Sequence, residues 1–467
     1  MSDDGKRRIY TNSDPTVTSR LTQERITGVP EMNWTAEQIL KLAPDAASAK
    51  AAQGLLAPKK WTSLGVNETA IWGACQGSGS NPYQTQIDLA EPAFKCSCPS
   101  RKFPCKHGLA LFLLFAEQPS LFAKTSVPDT VASWLKGRSD RAKKETAATT
   151  KSREAKDPES QAKTAARRLD RVKDGALELQ RWLEDLVRSG LAGNLSRGTA
   201  SWESQAARLV DAQAPGLARL LKEAAVLGTR EGWQERLLEH IALLHLLLEG
   251  FRRSATLPED LQAEIQSLIG WKQDQQELMQ DTGIVDEWKV LGQRTLLEDR
   301  LQVQRTWLKG KNSAREAMVL VFAYGNQAPF SGLLPGTCFD GELVFFPGRM
   351  GLRALVKTRS ETTRQLHRLP GEPIASSVAR WSGRKANCPW LERFPFELNR
   401  VVPATSHGRW WIIDEAKVEL PLSPFRDVWK LVALSGGHPV TLFGEWDGHS
   451  LSPVSACVEE RFVELNA

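Results

Sequence analysis

Phe94-Lys95-Cys96-Ser97-Cys98-Pro99-Ser100-Arg101-Lys102-Phe103-Pro104-Cys105-Lys106-His107 is the stretch from which the rest of the chain can be read. Three thiols and an imidazole fall within 12 positions, spaced C-x-C, six residues, then C-x-H. Zinc is borderline-soft and takes thiolate and imidazole in a tetrahedral shell, and three cysteines with one histidine are a standard structural set. Cys96 and Cys98 can both turn inward if the chain bends between them, and Ser97 and Pro99 suit a bend. With Cys105 and His107 the protein fills all four positions, which leaves none open for water or substrate. That predicts one structural Zn²⁺ and argues against hydrolysis. The competing readings are a chance group of buried cysteines or a redox pair. The other four cysteines, Cys75, Cys338, Cys388 and Cys457, are widely scattered and read as isolated buried thiols.

Outward from the cluster, Ile71–Cys75 and Tyr83–Leu89 have strand character, separated by the turn-forming Gly77-Ser78-Gly79-Ser80-Asn81-Pro82. On the other side, Leu109 to Phe115 is an apolar run suited to a buried helix. These residues resemble the SWIM-type zinc finger, whose pattern is C-x-C, a variable spacer, then C-x-H, on a ββα frame. The wider stretch CSCPSRKFPCKHGLALFLL, preceded by CQGSGSNPYQTQIDL, is similar to the bacterial SWIM zinc finger proteins over about residues 34–118. Val210-Asp211-Ala212-Gln213-Ala214-Pro215-Gly216 shows a weaker likeness. The resemblance implies zinc held by Cys96, Cys98, Cys105 and His107, with a protein or nucleic acid as partner. It further implies company with MoxR-type AAA ATPases and von Willebrand factor A proteins, and a bacterial source. One departure is Gly108, where alanine is usual.

The basic residues around the motif admit two readings. Lys95, Arg101, Lys102 and Lys106 could contact phosphate, or they could favour the thiolate form around a metal site of net charge −1. Phe94 and Phe103 read as a miniature core beside the metal rather than as stacking platforms for bases.

A chain of 467 residues predicts two or three domains. Residues 1–31 have no hydrophobic period and read as a disordered extension. Residues 32–118 form the zinc finger domain, with Thr35 and Gln38 as a capping box and a second helix after Pro44 and Asp45. Residues 119–165 hold a helix and a basic linker. The net charge is +6, from 61 Lys+Arg against 55 Asp+Glu, and residues 136–174 alone carry 13 basic against 7 acidic side chains. The rest of the chain therefore sums to zero. Because acids are interleaved, this segment reads as a solvated spacer before it reads as a nucleic-acid arm.

Helical spacing runs from Leu169 to Val187, Leu209 to Leu227, Leu237 to Leu248 and Leu261 to Ile269, so 166–275 is a helical bundle. Residues 281–467 form an α+β domain with mostly antiparallel strands, at Leu301–Gln304, Met318–Phe322, Leu343–Phe346 and Trp410–Ile413. One helix is expected there, capped by Ser423, begun by Pro424 and stopped at Gly436. Asp340-Gly341 and Asp447-Gly448 read as hairpin turns. The fold class is thus multidomain α+β: a ββα finger, a central helical bundle and a C-terminal α+β domain.

Nothing points to catalysis. His240 and His245 lie five apart on one helix and face different ways, and no G-x-S-x-G, H-E-x-x-H, Walker A or G-x-G-x-x-G motif is present. Most of the 16 tryptophans, such as Trp182 and Trp429, look core-phased. A groove around Trp410 and Trp411 is the weaker alternative. With no apolar segment of membrane length and no leader-like start, the expected location is the cytoplasm, with no membrane and no small-molecule substrate. The function expected is a non-enzymatic adaptor, with DNA or RNA binding as the alternative.

Overall fold

The computed structural model describes residues 36–77, 81–89, 93–100, 102–138, 158–191, 199–227, 232–271, 273–298, 301–324, 331–360, 362–425 and 427–465. The extension at 1–31, the capping-box residue Thr35 and linker residues 139–157 lie outside them. The chain divides into two compact units after Gly137.

The first unit opens with two short helices, α1 (Ala36–Lys41) and α2 (Ala46–Gln53). Asp45 caps α2 by accepting a hydrogen bond from Ser48 N at 2.7 Å. Five strands follow: β1 (Trp61–Val66), β2 (Ala70–Cys75), β3 (Tyr83–Asp88), β4 (Ala93–Cys96) and β5 (Ala123–Lys124). They form one sheet in the order β4-β3-β2-β1-β5, antiparallel except where β5 joins β1. The two expected strands are β2 and β3. The ββα expectation lacked β1, whose Trp61-Thr62-Ser63-Leu64-Gly65-Val66 does not alternate cleanly because its pairing with β2 slips between Thr62 and Gly65. Helix α3 (Lys106–Glu117) buries every residue from His107 to Phe115. A helix apolar all round must be covered on several sides, and α3 meets β3 on one side and α1 and α2 on another.

The second unit begins with α4 (Pro158–Ser189), a 32-residue helix. It takes in the latter part of the charge-rich segment, because exposed Lys and Arg are good helix formers and Val172, Ala176, Leu179 and Leu183 anchor one stripe in the core. The periodic stretch Leu209–Leu227 is two helices, α5 (Ala200–Asp211) and α6 (Pro215–Leu227). Gln213 takes a left-handed φ of 63° between them, and Pro215 starts α6, where its missing N–H costs nothing. Helices α7 (Trp233–Arg252) and α8 (Glu259–Ile269) complete the bundle.

Gly216 explains the Ala-Pro-Gly signature physically. A Cβ placed there would lie 2.0 Å from the Leu268 carbonyl oxygen at the end of α8. Only backbone without a side chain permits that approach. Gly216→Ala is expected to cost about 2–3 kcal/mol as forced overpacking, read as a lower urea midpoint with an unchanged slope.

Two further sheets follow. Strands β6 (Ile284–Glu298), β7 (Leu301–Gly310), β8 (Glu316–Tyr324), β9 (Thr337–Phe345) and β10 (Ala354–Arg359) run in the order β10-β9-β6-β7-β8, with β11 (Arg364–Gln365) on β9. A bridge between Met318 and Arg353 brings the β8 edge back to the residue before β10. Strands β12 (Phe394–Ser406), β13 (Arg409–Ile413), β14 (Glu419–Pro421), β15 (Val440–Trp446), β16 (Leu451–Val458) and β17 (Arg461–Glu464) form the other sheet, in the order β14-β13-β12-β15-β16-β17. Leu291 and Trp307 of the first sheet share a core with Phe394, Phe443 and Val454 of the second. The bundle joins this assembly too: Cys388 and Trp390 sit in its core, and Trp390 Nε1 donates to Leu243 O at 2.9 Å.

Three local expectations are corrected. The late helix runs over Val428–Ser435, not from Pro424. Ser423 pairs with the β16 edge instead, its N–H donating to Leu451 O at 2.9 Å. Trp429 on that helix is 70% exposed, edge-on to Trp410, so it is a surface tryptophan. Asp340-Gly341 lies inside β9, not in a turn: both residues pair with β6, and a Cβ on Gly341 would meet Thr358 O at 2.4 Å. Asp447-Gly448 does fall between β15 and β16, where the Asp447 carboxylate accepts from His449 N and Ser450 N.

Candidate metal centre

The cluster is built by a strand end and a helix start. Cys96 closes β4 directly opposite Thr85 of β3. Ser97 fixes the bend that follows, with its N–H donating to Gln84 O and its Oγ accepting from Gln84 N, both at 2.9 Å. Cys105 is the N-cap residue of α3, and its Sγ accepts from Gly108 N at 3.5 Å. His107 lies two residues on, and both are buried, while Cys96 and Cys98 are half-buried.

One ligand atom from each of Cys96, Cys98, Cys105 and His107 lies within 4.8 Å of the others. A tetrahedron with metal–sulfur bonds of about 2.3 Å has edges of about 3.8 Å. His107 Nδ1 stands 3.8 Å from Cys96 Sγ, so that edge already has the right length. The remaining edges need to close by about an ångström at most.

The thiols fit a cation on chemical grounds as well. A hydrogen bond from Cys105 holds Cys96 below the usual thiol range, against the opposing effect of burial. The same bond, with burial second, pushes Cys105 up to about 11. Burial also raises Cys98. Three crowded sulfurs thus cannot all ionise alone. A divalent cation in their midst removes that conflict by replacing the shared proton. The helix N-terminus behind Cys105 favours the thiolate further.

Sequence reasoning missed three supporting residues. Thr85 Oγ1 is 3.2 Å from Cys96 Sγ, a contact set by strand register and invisible to spacing. The Tyr83 ring lies 4.8 Å from the His107 ring, centroid to centroid. Asp45, already the α2 cap, grips Lys102 at 2.8 Å and so ties the spacer between the cysteine pairs to α2. That bond, with Ser48 N, holds the Asp45 carboxyl down at about 2.

The other candidates divide. Lys95 and Lys106 are exposed, with no ion-pair partner among the described residues, Lys102 is committed to Asp45, and Arg101 lies outside the described residues. Phe94 packs against Phe112 of α3, as expected of a miniature core. Phe103 instead sits edge-on to the outer side of Phe94 and remains 40% exposed. Gly108 makes room for this packing: a Cβ there would meet the Phe94 ring at 3.0 Å, which explains why the usual alanine is absent.

The SWIM zinc finger family model matches residues 83–115. The chain carries a SWIM zinc finger. The model of the SWIM-associated four-helix bundle domain matches residues 167–269, which span the latter part of α4 through α8. No curated protein and no solved structure matches the chain.

Thr85 gives the SWIM finger a testable support. Thr85→Val keeps the shape of the strand and removes the hydroxyl next to Cys96. Loss of such a partner costs about 10–100-fold in metal affinity, and competition with a chromogenic chelator measures it.

Proposed function

We propose that this chain is a non-enzymatic adaptor in which one structural Zn²⁺ stiffens the SWIM finger as a recognition module. The observation that carries the reading is the four-donor set, with Cys96, Cys98, Cys105 and His107 converging and no fifth His, Cys, Asp or Glu grouped with them among the described residues. A metal held this way shapes a surface and does not activate water. The bundle supplies a second contact surface, since Leu177, Val187, Leu238 and Leu246 are exposed on its helices. The partner proposed is a MoxR-type AAA ATPase with a von Willebrand factor A protein, on the strength of the resemblance to bacterial SWIM proteins, and the site of action is the cytoplasm. Among the described residues no helix is long and apolar enough to cross a membrane.

Lys95 and Lys106 support a second reading, in which the finger binds DNA or RNA together with the basic linker. It is the weaker one, because Lys102 is neutralised by Asp45. Affinity purification of the full chain from native lysate, at low and moderate salt, separates the two. Recovery of an AAA ATPase at both salts supports the adaptor. Nucleic acid alone, lost steeply as salt rises, overturns it.

A further inference from the structure

The second unit contains a cavity of about 220 Å³ where α8, the loop after β9 and the helix Ile374–Asn387 meet. Arg349, Arg384 and Asn387 form its polar lining, and Met350, Leu352 and Phe394 its apolar lining. Asp260 also lines it and occupies Arg349, with contacts from Nη1 of 3.0 and 2.9 Å to the two carboxylate oxygens. Arg384 has no such partner: among the described residues its half-buried guanidinium makes no hydrogen bond or ion pair.

A second carboxylate, the buried Glu264, borders the cavity and accepts from Met350 N at 3.0 Å, but it pairs with neither Arg315 nor Arg384 among the described residues. Arg315 donates to Gly351 O at 2.9 Å, between two cavity residues, yet its Nε is buried with no partner. Burial, and then the charge of Arg384, hold the Arg315 guanidinium below its usual range. Neither Arg315 nor Arg384 is ion-paired to a carboxylate among the described residues, and a guanidinium drawn out of water without such a partner is costly unless something anionic joins it. A guanidinium matches the oxygens of phosphate in a bidentate fork. The volume is below the range of about 300–1,000 Å³ of drug-sized sites, so the ligand is small.

We propose that this cavity binds a small phosphate-bearing anion, held by the Arg384 guanidinium beside Arg349, with any carbon portion against Met350 and Phe394. This departs from the expectation that the chain takes no small molecule, and it is independent of the zinc site.

The test is calorimetric titration and thermal unfolding of the full chain with inorganic phosphate, and with glycerol 3-phosphate, each against chloride at equal ionic strength. Saturable binding and a raised unfolding temperature are expected. Tighter binding of glycerol 3-phosphate would point to a phosphoester, and equal or weaker binding to free phosphate. Arg384→Gln removes a side chain that holds nothing else, so the fold is retained and phosphate affinity drops about tenfold or more. Asp260→Asn frees Arg349 and removes a competing charge, so affinity rises several-fold. Absence of binding to the unsubstituted chain overturns the proposal, as does phosphate affinity unchanged by Arg384→Gln.

Discussion

Cys98→Ser is expected to leave the purified chain almost free of zinc, against about one ion per chain in the unsubstituted protein. Cys98 is the informative ligand because it is half-buried, whereas Cys105 and His107 are buried. Replacing it disturbs the donor set with little loss of packing. Structural zinc contributes about 10–16 kcal/mol in small fingers, so one ligand in four accounts for about 3 kcal/mol, or a hundredfold or more in affinity. Loosening should begin at β4 and the bend at Ser97, which the metal ties to the start of α3. It should not spread to global unfolding. Ile39, Trp61, Ile71 and Phe112 form a core of their own under the sheet. The unit beyond Gly137 should keep its unfolding transition, since none of its cores includes a zinc ligand. Elemental analysis and a two-transition melt measure both halves. Metal retained after all three cysteines are replaced would refute the site.

The finger was legible because its chemistry is local: four ligands within 12 positions declare themselves by spacing alone. The bundle was legible for a similar reason, as Leu179, Leu183 and Leu186 repeat at helical intervals and are buried as that repeat requires. What spacing could not show were relations set by register and tertiary approach. Thr85 meets Cys96 through a strand pairing, and Asp45 reaches Lys102 across 57 positions of chain. Gly341 looked like a turn residue, and yet it is a strand residue whose missing side chain admits Thr358 O. Trp429 fits a buried phase on its short helix, but the core lies on the side taken by Leu431. Charged residues are also buried between the two C-terminal sheets, where Arg305 meets Glu445 and Lys309 meets Glu397, and no local pattern announces a buried charge.

Those charges carry the other large effect. Arg305, Trp307 and Lys309 alternate along β7 and so share one face, which looks onto Glu445 of β15 and Glu397 of β12. Glu445 is fully buried and accepts from Arg305 Nε at 3.0 Å, Arg305 Nη2 at 2.8 Å and Trp307 Nε1 at 2.8 Å. Glu445→Gln keeps the volume but turns an amide N–H₂ toward donors, leaving Arg305 buried and unpaired. That breakage is expected to cost about 3–5 kcal/mol, or about 5–10 °C in Tm for a unit of this size. Burial alone would raise the Glu445 carboxyl, but the charge and hydrogen bonds of Arg305, with Trp307, outweigh it and hold the group below its usual range. The folded-state value is therefore the lower one. Its stabilisation is complete above the unfolded value near 4.3 and disappears as pH falls through the depressed folded value. The gap between the two proteins should be constant from neutral pH to about 5 and then narrow. Glu397 behaves in the opposite sense. It is buried with Lys309 at 2.5 Å and the charge of Arg380 acting on it as well, while among the described residues its Oε2 has no partner. Burial consequently prevails and raises it, so ionisation at neutral pH opposes folding, and acidification relieves that cost. Glu397→Gln should then change stability little at pH 7, because Lys309 is partly exposed and can turn to water. Equal losses from the two substitutions would show that the fold depends on buried charge as such, and not on the fully bonded Arg305–Glu445 pair.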